Sequence, residues 1–376
     1  MKVYLDNGAT TMVDSKIVSE MKKIMISKYG NPSSIHAMGE ESKKLLEQSR
    51  NNIAKRINAL PEEVLFTSGG TESNNLAIFS LISEDKKHII ITAIEHPSVR
   101  ETCKHLAREG YSITFVQPNA KGIVEVESIV KEINPETGLI VMMHANNEIG
   151  TLQPVEEVGK ICAKNKINFH VDAVQSFTKV DIDVVKMKIT SLAVSSHKIH
   201  GPKGVGALFI KKGVKVRKML FGGHQERNLR AGTENLPGIY GFGMACKEKQ
   251  PVAKIKKLRD RLIDGILKEI PDTFLNGSRD SRLCNNANIS FKFIEGEGLL
   301  MHLDMNGIYV STGSACSSKS LEPSHVLLAL GLSHEEAHGS IRFTLSKYTT
   351  EKEIDYTIKT LKELVKKLRR ISPLGK

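Results

Sequence analysis

The chain has 376 residues, of which 40% are hydrophobic and 26% charged, and its formal net charge is +12. This composition is that of an ordinary globular protein, long enough for one large domain and a smaller one. The longest apolar runs, such as GLIVMMHA, have strand length and exclude a transmembrane span. The first residues, MKVYLDNGATT, lack the apolar stretch of a signal peptide, so we expect a cytoplasmic location.

The positive charge raises the question of a nucleic-acid partner. The lysines are spread out, and they are locally dense only in KKGVKVRK (211–218) and KELVKKLRR (362–370). The second run has leucines at helical spacing, which is typical of the solvated face of a helix. The sequence has no zinc-finger spacing and no RNA-binding aromatic signature. We therefore do not expect direct nucleic-acid binding.

From about residue 40 to residue 210, helical patterns alternate with short apolar runs. The helical stretches include EESKKLLEQSRNNIAKRI, HPSVRETCKHLAREG and PVEEVGKICAKNK. The strand-like runs are EVLFTSG, HIIITA, SITFVQ, LIVMMHA, NFHVDA, SLAVSS and ALFIK. Continuous apolar runs joined by helices predict an α/β doubly wound domain with a mainly parallel sheet.

The pattern changes near residue 250. A long basic helix, IKKLRDRLIDGILKEI, precedes NANISFKF, a helix around GEGLLMHLDM, the strand SIRFTLS and a final helix. These elements predict a smaller α+β domain. We expect a large domain at residues 15–255 and a small domain formed by residues 1–14 and 256–376.

The cysteines are widely spaced and form no Cys-x-x-Cys pair, which argues against a disulfide framework and a thiolate metal site. Cys316 lies in STGSACSS (311–318), a run of tiny side chains that predicts an accessible thiol on a loose segment of the small domain. The others lie in apolar or helical surroundings typical of small buried residues: Cys103, Cys162, Cys246 and Cys284.

Polar residues follow nearly every predicted strand of the large domain. Ligands of open α/β sheets bind at the carboxyl ends of the strands, so these residues favour a site there. The turn Gly69-Gly70-Thr71 opens a helix and suits a single phosphate, although a plain helix start explains it equally well. The residues after the other strands are Glu95 and His96, Asn146 to Glu148, Asp172 and Gln175, and Ser195 to Lys198.

The chemical types of these residues narrow the kind of site. A lysine among small polar residues can become a nucleophilic amine. A buried aspartate can keep a heteroaromatic nitrogen protonated, which makes a pyridine ring an electron sink. A phosphate cradle, a Schiff-base lysine, such a carboxylate and a flat histidine together describe a pyridoxal phosphate site.

Long motifs resemble the cysteine desulfurases of the NifS and IscS type, from YLDNGATT to ISPL. They include SSHKIHGPKGVGALFI, HANNEIGTLQPVEE, HVDAVQS, TSGGTESNNLAI and STGSACSS. The resemblance implies the type I, aspartate-aminotransferase-like pyridoxal phosphate fold and a homodimer. It also implies that L-cysteine becomes L-alanine, while the sulfur passes as a persulfide on Cys316 to an iron–sulfur scaffold or another acceptor protein.

The resemblance further assigns roles to single residues. Lys198 would bind the cofactor as a Schiff base, His96 would stack on its ring and serve as acid and base, and Cys316 would accept the sulfur. Cys316 would also be the ligand if an iron–sulfur cluster were transferred, whereas no resident metal is implied. The remaining assignments are Asp172 for the ring nitrogen, Gln175 for the phenolic oxygen, Gly70, Thr71, Ser195 and His197 for the phosphate, Thr233 for the phosphate of the other subunit, and Asn147 and Arg342 for the substrate carboxylate.

Several points stay open at this level. Asn7-Gly8 stands where the family often has two asparagines, so the resemblance does not fix the backbone geometry near the substrate. A selenocysteine lyase or another class V aminotransferase-like enzyme would share the fold. A non-catalytic adaptor would lack the lysine or the cysteine, and both are present. The base that activates the thiol is expected to be His96, with His325 and His302 as weaker candidates.

Overall fold

The computed structural model describes residues 1–312 and 323–372, so Cys316 lies outside the described residues. The strands are β1 (Val3–Tyr4), β2 (Val64–Thr67), β3 (His88–Thr92), β4 (Ser112–Val116), β5 (Thr137–Met143), β6 (Asn168–Asp172), β7 (Ser191–Ser195), β8 (Gly206–Ile210), β9 (Thr273–Leu275), β10 (Asn286–Phe291), β11 (Ile308–Tyr309), β12 (Ser311–Thr312) and β13 (Ser340–Thr344).

Helices surround these strands, and none in the described ranges is long and apolar enough to cross a membrane. They are α1 (Ser15–Ser27), α2 (Ala37–Arg56), α3 (Gly70–Leu81), α4 (Pro97–Arg108), α5 (Val126–Glu132), α6 (Val155–Asn165), α7 (Gln225–Asn228), α8 (Leu236–Lys247), α9 (Val252–Glu269), α10 (Gly296–Met305), α11 (His325–Ala329), α12 (His334–His338) and α13 (Glu351–Ile371).

A seven-stranded sheet in the order β2-β8-β7-β6-β5-β3-β4 forms the larger layer. The strands from β7 to β4 are parallel, and β8 runs antiparallel to both of its neighbours. Residues of α1, α2, α6 and α8 cover one face of the sheet, and residues of α3 and α4 cover the other. The prediction of a doubly wound α/β fold with a mainly parallel sheet is therefore confirmed.

The second layer contains an antiparallel sheet in the order β12-β13-β10-β9. The first residues of the chain join it, because Val3 pairs with Ile308 in parallel and Asp6 bridges to Thr344. A separate apolar core lies between these strands and helices α9, α10 and α13.

Two separate apolar cores support the proposed division into residues 15–255 and residues 1–14 with 256–376. Helix α9 begins at Val252, three residues before that boundary, and its Ile255 packs in the core of the smaller part. The division stays a proposal, with the transition falling at the start of α9.

Candidate active site

A cavity of about 280 Å³ lies at the carboxyl ends of β5, β6 and β7, between the two layers. Gly8 and Ala9 from the N-terminal segment close one side of it. Most of the predicted site residues line this cavity: Gly70, Thr71, His96, Asn147, Asp172, Gln175, Ser195, His197, Lys198 and Arg342.

Two predicted residues are not part of this lining. Thr233 is exposed on the segment between α7 and α8, so its contact with a phosphate stays a prediction about a second subunit. Cys316 belongs to the residues that the structure does not describe.

Lys198 ends a single 3-10 turn that follows β7, and its amine reaches across the cavity. Its Nζ donates to the carbonyl oxygens of Gly8 at 2.6 Å and Ala9 at 2.9 Å. Gln175 Nε2 donates to the same Gly8 oxygen at 3.0 Å. The N-terminal segment thus positions the Lys198 amine. Apart from the motif YLDNGATT, nothing in the sequence predicts this contact of Gly8.

A second amine lies behind the first. Lys179 Nζ donates to the backbone oxygens of Gln175 at 2.9 Å and Lys198 at 3.2 Å. Burial lowers the pKa of Lys179 to about 8, and nearby Cys284 partly opposes this shift. The sequence analysis missed Lys179, which stands in the unremarkable stretch SFTK.

His96 is the N-cap of α4, and its ring nitrogen Nδ1 accepts from the backbone N–H of Ser98 at 3.1 Å. Ser98 Oγ lies 2.8 Å from the same nitrogen. Burial lowers the pKa of His96; the carboxylate of Asp172 opposes this shift and the ammonium of Lys198 adds to it. His96 is therefore favoured as a neutral imidazole.

Asp172 ends β6 and turns its carboxylate into the cavity. Oδ1 accepts from the backbone N–H of Val174 at 2.9 Å, and Oδ2 accepts from Asn74 Nδ2 at 2.8 Å. Asn74 lies one turn into α3 and is buried. The sequence analysis did not single out Asn74, although TESNN places it one helical turn after the glycine pair.

The end of the cavity at α3 suits an anion. The N-cap of α3 is Gly69, so no side chain caps the first N–H groups of this helix. A Cβ at Gly70 would come within 2.7 Å of Val174 Cγ2, so glycine keeps the backbone close to the cavity. Burial lowers the pKa of His197 to about 4, with further lowering by Lys198, so His197 acts as a neutral hydrogen-bonding group.

Arg342 on β13 occupies the opposite end. Its Nη2 donates to Asp6 Oδ1 at 2.8 Å and its Nη1 to the Asn147 carbonyl oxygen at 3.2 Å. Its Nε is buried and has no hydrogen-bond partner in the described part of the chain. A guanidinium with an unused donor suits a carboxylate ligand. Ser311 on β12 pairs with Arg342, so the chain leaves toward Cys316 beside this arginine.

Two buried glutamates lie next to the predicted residues. Burial raises the pKa of Glu95 to about 8 and that of Glu148 to about 7. Glu95 accepts from the Thr92 hydroxyl at 2.6 Å and from the Met143 N–H at 2.7 Å. Glu148 accepts from the hydroxyl of Ser324.

The other two candidates for the base that activates the Cys316 thiol, His325 and His302, lie in different parts of the structure. His325 Nε2 lies 3.1 Å from the Glu95 carbonyl oxygen, and burial lowers the pKa of His325 to about 4. His302 lies on α10 and is not among the residues that line the cavity. Of the candidates, His96 alone lies in the cavity lining as the structure describes it.

The donor set fits pyridoxal phosphate. An uncapped helix terminus with Thr71 and Ser195 suits the phosphate, the Asp172 carboxylate suits the ring nitrogen, and Lys198 supplies the amine. The lining also offers Val174 and the His96 imidazole as flat or apolar walls.

Comparisons with known proteins agree with this assignment. The model of the aminotransferase class-V family matches residues 3–357. The chain is 47% identical to cysteine desulfurase IscS of Dictyoglomus turgidum over 380 residues, which cover 99% of this chain and 96% of that protein. It is 48% identical to cysteine desulfurase IscS of Methanosarcina thermophila over 380 residues, covering 99% of this chain and 94% of the other.

A solved structure of a NifS-like protein superposes with a TM-score of 0.92 at 40% sequence identity, covering 98% of this chain and 100% of that chain. Fold and cavity thus define a pyridoxal phosphate enzyme of fold type I. The chain belongs to the cysteine desulfurases of the class-V aminotransferase family.

Proposed function

We propose roles in cysteine desulfuration for the residues of the cavity, and we propose that Cys316 carries the sulfur to an acceptor protein. The observation that carries the proposal is the placement of the Lys198 amine and the Arg342 guanidinium in one cavity, with β12 leaving beside Arg342. A substrate held by its carboxylate at Arg342 would present its remaining groups toward Lys198 and toward the end of β12.

Arg342 and Asn147 would bind the carboxylate of L-cysteine, with the Arg342 Nε, which has no partner among the described residues, completing a fork. Bound pyridoxal phosphate would withdraw electrons from the substrate Cα. Gly70, Thr71, Ser195 and His197 would hold its phosphate, while Asp172 and Gln175 would face its ring nitrogen and phenolic oxygen. Lys198 would hold the cofactor covalently and then move the proton at Cα.

In the sulfur step the Cys316 thiolate attacks the sulfur of the substrate. The new S–S bond forms as the substrate C–S bond breaks, and the electron pair of that bond stays on carbon, which takes up a proton. Cysteine and the enzyme thiol thereby become alanine and an enzyme persulfide, so no further oxidant or reductant is needed. A free cysteine has a pKa of about 8.5, so a neighbouring group must favour the thiolate.

The function is tested with Cys316→Ser in the cofactor-loaded protein. We expect this variant to keep the bound cofactor and to bind cysteine, but to release little alanine and to carry no persulfide. The matched control is Cys103→Ala, because burial raises the pKa of the Cys103 thiol to about 12 and leaves it unable to attack. Alanine formation by Cys316→Ser at the wild-type rate would assign the acceptor role to another group. The assay contains no keto acid, which separates desulfuration from transamination.

The active form is proposed to be a homodimer in which Thr233 reaches the phosphate of the other subunit. The segment with Thr233 is held to its own subunit by two ion pairs, Arg50 with Glu226 and Glu72 with Arg230, at 2.7 and 2.8 Å. Ile35 and Phe221 are 97% and 83% exposed, which is unusual for large apolar side chains. This exposure favours a second subunit that covers them.

Mixed dimers test this sharing of sites. One subunit carries Lys198→Ala and the other Thr233→Asp, whose charge would repel a phosphate. If each site uses both subunits, the mixed dimer has one site with both wild-type residues, and we expect activity that neither homodimer shows. No recovery in the mixed dimer, or full activity of a monomer at high dilution, would contradict shared sites.

The sulfur acceptor is proposed to be an iron–sulfur scaffold protein or another sulfur-accepting protein of the cytoplasm. This assignment is supported by relatives of this chain that bear the name IscS. A transferred cluster bound by the chain would use Cys316 as its ligand. Transfer of ³⁵S from loaded protein to a purified scaffold tests the assignment, and a scaffold that stays unlabelled contradicts it.

A further inference from the structure

A continuous row of hydrogen bonds runs along the wall of the cavity and joins His96 to Asp172 through Ser98 and Asn74, which also line the cavity. Ser98 Oγ lies 2.8 Å from His96 Nδ1 and 2.8 Å from Asn74 Nδ2. Asn74 Nδ2 also donates to Asp172 Oδ2 at 2.8 Å. On its other side, Asn74 Oδ1 lies 3.0 Å from His170 Nε2. Asn74 therefore touches Asp172 directly and reaches His96 through one hydroxyl.

The direction of each bond follows from the atoms involved. An ionised Asp172 only accepts, so the nitrogen of the Asn74 amide must face it. That nitrogen also donates to Ser98 Oγ, which leaves the hydroxyl proton of Ser98 for His96 Nδ1. The backbone N–H of Ser98 donates to Nδ1 as well, at 3.1 Å. A neutral His96 therefore carries its proton on Nε2.

The far end of the row supports the same orientation of Asn74. Its Oδ1 needs a donor, which His170 supplies from Nε2, and His170 Nδ1 then accepts from Ser191 Oγ at 2.7 Å. Both Asn74 and His170 are buried, with 1% and 0% of their surface exposed. Burial lowers the pKa of His170 to about 4, so its ring stays neutral and can hold this arrangement.

We propose that Asn74 is a positioning residue for both groups that face the cofactor ring: one amide orients the Asp172 carboxylate and, through Ser98, keeps the proton of His96 on Nε2. In this tautomer His96 is a hydrogen-bond donor at Nε2, and its Nδ1 is already occupied by Ser98. His96 therefore enters the reaction as a donor and does not serve as the base for the Cys316 thiol. Only the statement about the Cys316 thiol rests on the proposed function; the orientation of Asp172 and the tautomer of His96 do not.

The test uses Asn74→Asp, which keeps the shape of the side chain but replaces its donors and adds a carboxyl beside Asp172. Affinity for pyridoxal phosphate is measured by absorbance, and the ring nitrogens of His96 are followed by ¹⁵N NMR of the full chain before and after cofactor loading. We expect affinity to fall about 10- to 100-fold, as for loss of a hydrogen bond to a charged group. We also expect the titration of His96 to move to higher pH.

Two further variants distinguish the contact of Asn74 with Asp172 from its contact with His96 through Ser98. Ser98→Ala removes the hydroxyl that donates to His96 Nδ1 and should move the His96 titration to higher pH. Cofactor affinity should stay within about threefold, because the hydrogen bond from Asn74 to Asp172 is retained. Asn51→Asp makes the same chemical change on α2, outside the cavity lining, where the side chain donates to the Glu47 carbonyl oxygen at 3.0 Å, and should leave cofactor affinity unchanged.

Wild-type affinity together with an unchanged His96 spectrum in Asn74→Asp would overturn the proposal. If Asn74→Asp does not fold, Ser98→Ala still tests whether Ser98 keeps the His96 proton on Nε2. A His96 proton found on Nδ1 in the wild type would refute this part of the proposal. Neither readout uses cysteine or Cys316, so failure here is distinguishable from failure of the proposed sulfur transfer.

Discussion

The carboxylate of Glu148 accepts a hydrogen bond from the hydroxyl of Ser324, which is the N-cap of α11. Ser324 Oγ also accepts from the backbone N–H of Val326 at 3.1 Å. Glu148 directly follows Asn147, whose carbonyl oxygen binds Arg342. This pair therefore links the end of the cavity at Arg342 to α11, the helix that follows the Cys316 segment in the sequence.

We expect Ser324→Ala to slow persulfide formation on Cys316 about 10-fold. The start of α11 loses its hydrogen bond to Glu148, and the buried carboxyl of Glu148 loses its partner. Cofactor binding should be unchanged, since Ser324 is not part of the cavity lining. The measurement is single-turnover persulfide formation after mixing with cysteine.

The matched control for this variant is Ser333→Ala, which removes the N-cap serine of α12 instead. It should lower the free energy of unfolding by about 1 kcal/mol and leave persulfide formation unchanged. Equal slowing in both variants would show that the effect of Ser324→Ala is a general loss of stability.

Buried Glu95 should make the folded protein less stable as the pH rises. Burial raises the pKa of Glu95 to about 8, well above the value of about 4.3 in an unfolded chain. The folded state therefore binds more protons between these values, and the free energy of unfolding falls by up to about 1.4 kcal/mol per pH unit as the pH rises. This contribution is complete below about pH 4.3 and lost by about pH 8.

The variant Glu95→Gln, which resembles the protonated acid in shape, should remove this slope. Buried histidines contribute in the opposite sense below about pH 6.5, so urea unfolding is compared with the wild type between about pH 6.5 and pH 8.5. Glu127→Gln, on the exposed side of α5, should leave the slope intact. Parallel stability curves for the wild type and Glu95→Gln would show that Glu95 is ionised throughout this range.

Gly8 is predicted to set the width of the cavity at Arg342. A Cβ at this position would come within 3.0 Å of Thr344 Cγ2 and 3.4 Å of Arg342 Cζ. Gly8→Ala should therefore displace the guanidinium and raise the KM for cysteine about 10-fold with a smaller change in kcat, as for overpacking of about 1–2 kcal/mol. Gly298→Ala is the control, because a Cβ there meets no atom within 4 Å. A kcat that falls while KM stays constant would contradict this role.

Lys198 is expected to be the residue that binds the cofactor covalently. Lys198→Ala should lose the yellow absorbance of the lysine-bound cofactor, while phosphate contacts still allow weaker binding. Lys203→Ala, five residues along, should keep the absorbance of the wild type. Retention of that absorbance in Lys198→Ala would assign the covalent bond to another lysine, with Lys203 as the nearest in sequence.

The strands and the edge at which the site lies could be predicted because buried parallel strands leave continuous apolar runs and end in polar residues. Asp172 and Ser195 were found in this way, each as the last residue of its strand. The helix α8 was missed, because LPGIYGFGMACK has no polar face and several glycines. Its glycines serve close packing: a Cβ at Gly243 would come within 2.7 Å of Ser49 Cβ.

Contacts between distant parts of the chain were beyond prediction from local pattern. Asp6, bound to Arg342, and Ser324, bound to Glu148, pair residues whose proximity depends on how the two layers dock. Asn74 was missed for a related reason, since an asparagine within a helix looks solvent-exposed until the neighbouring strand is in place. Side-chain pairs of this kind depend on tertiary structure, whereas the ends of buried strands can be predicted from the local sequence pattern.

The pairing of the chain's first residues with its last strands bears on folding during synthesis. Val3 must find Ile308, and Asp6 must find Thr344, so the end of the cavity at Arg342 is incomplete until residues in the final tenth of the chain have been made. The core of the large sheet needs no residue beyond Cys246 and can form earlier. A nascent chain on the ribosome can thus form the end of its cavity at α3 before the end at Arg342 is complete. Catalytic competence arrives as a late event of translation.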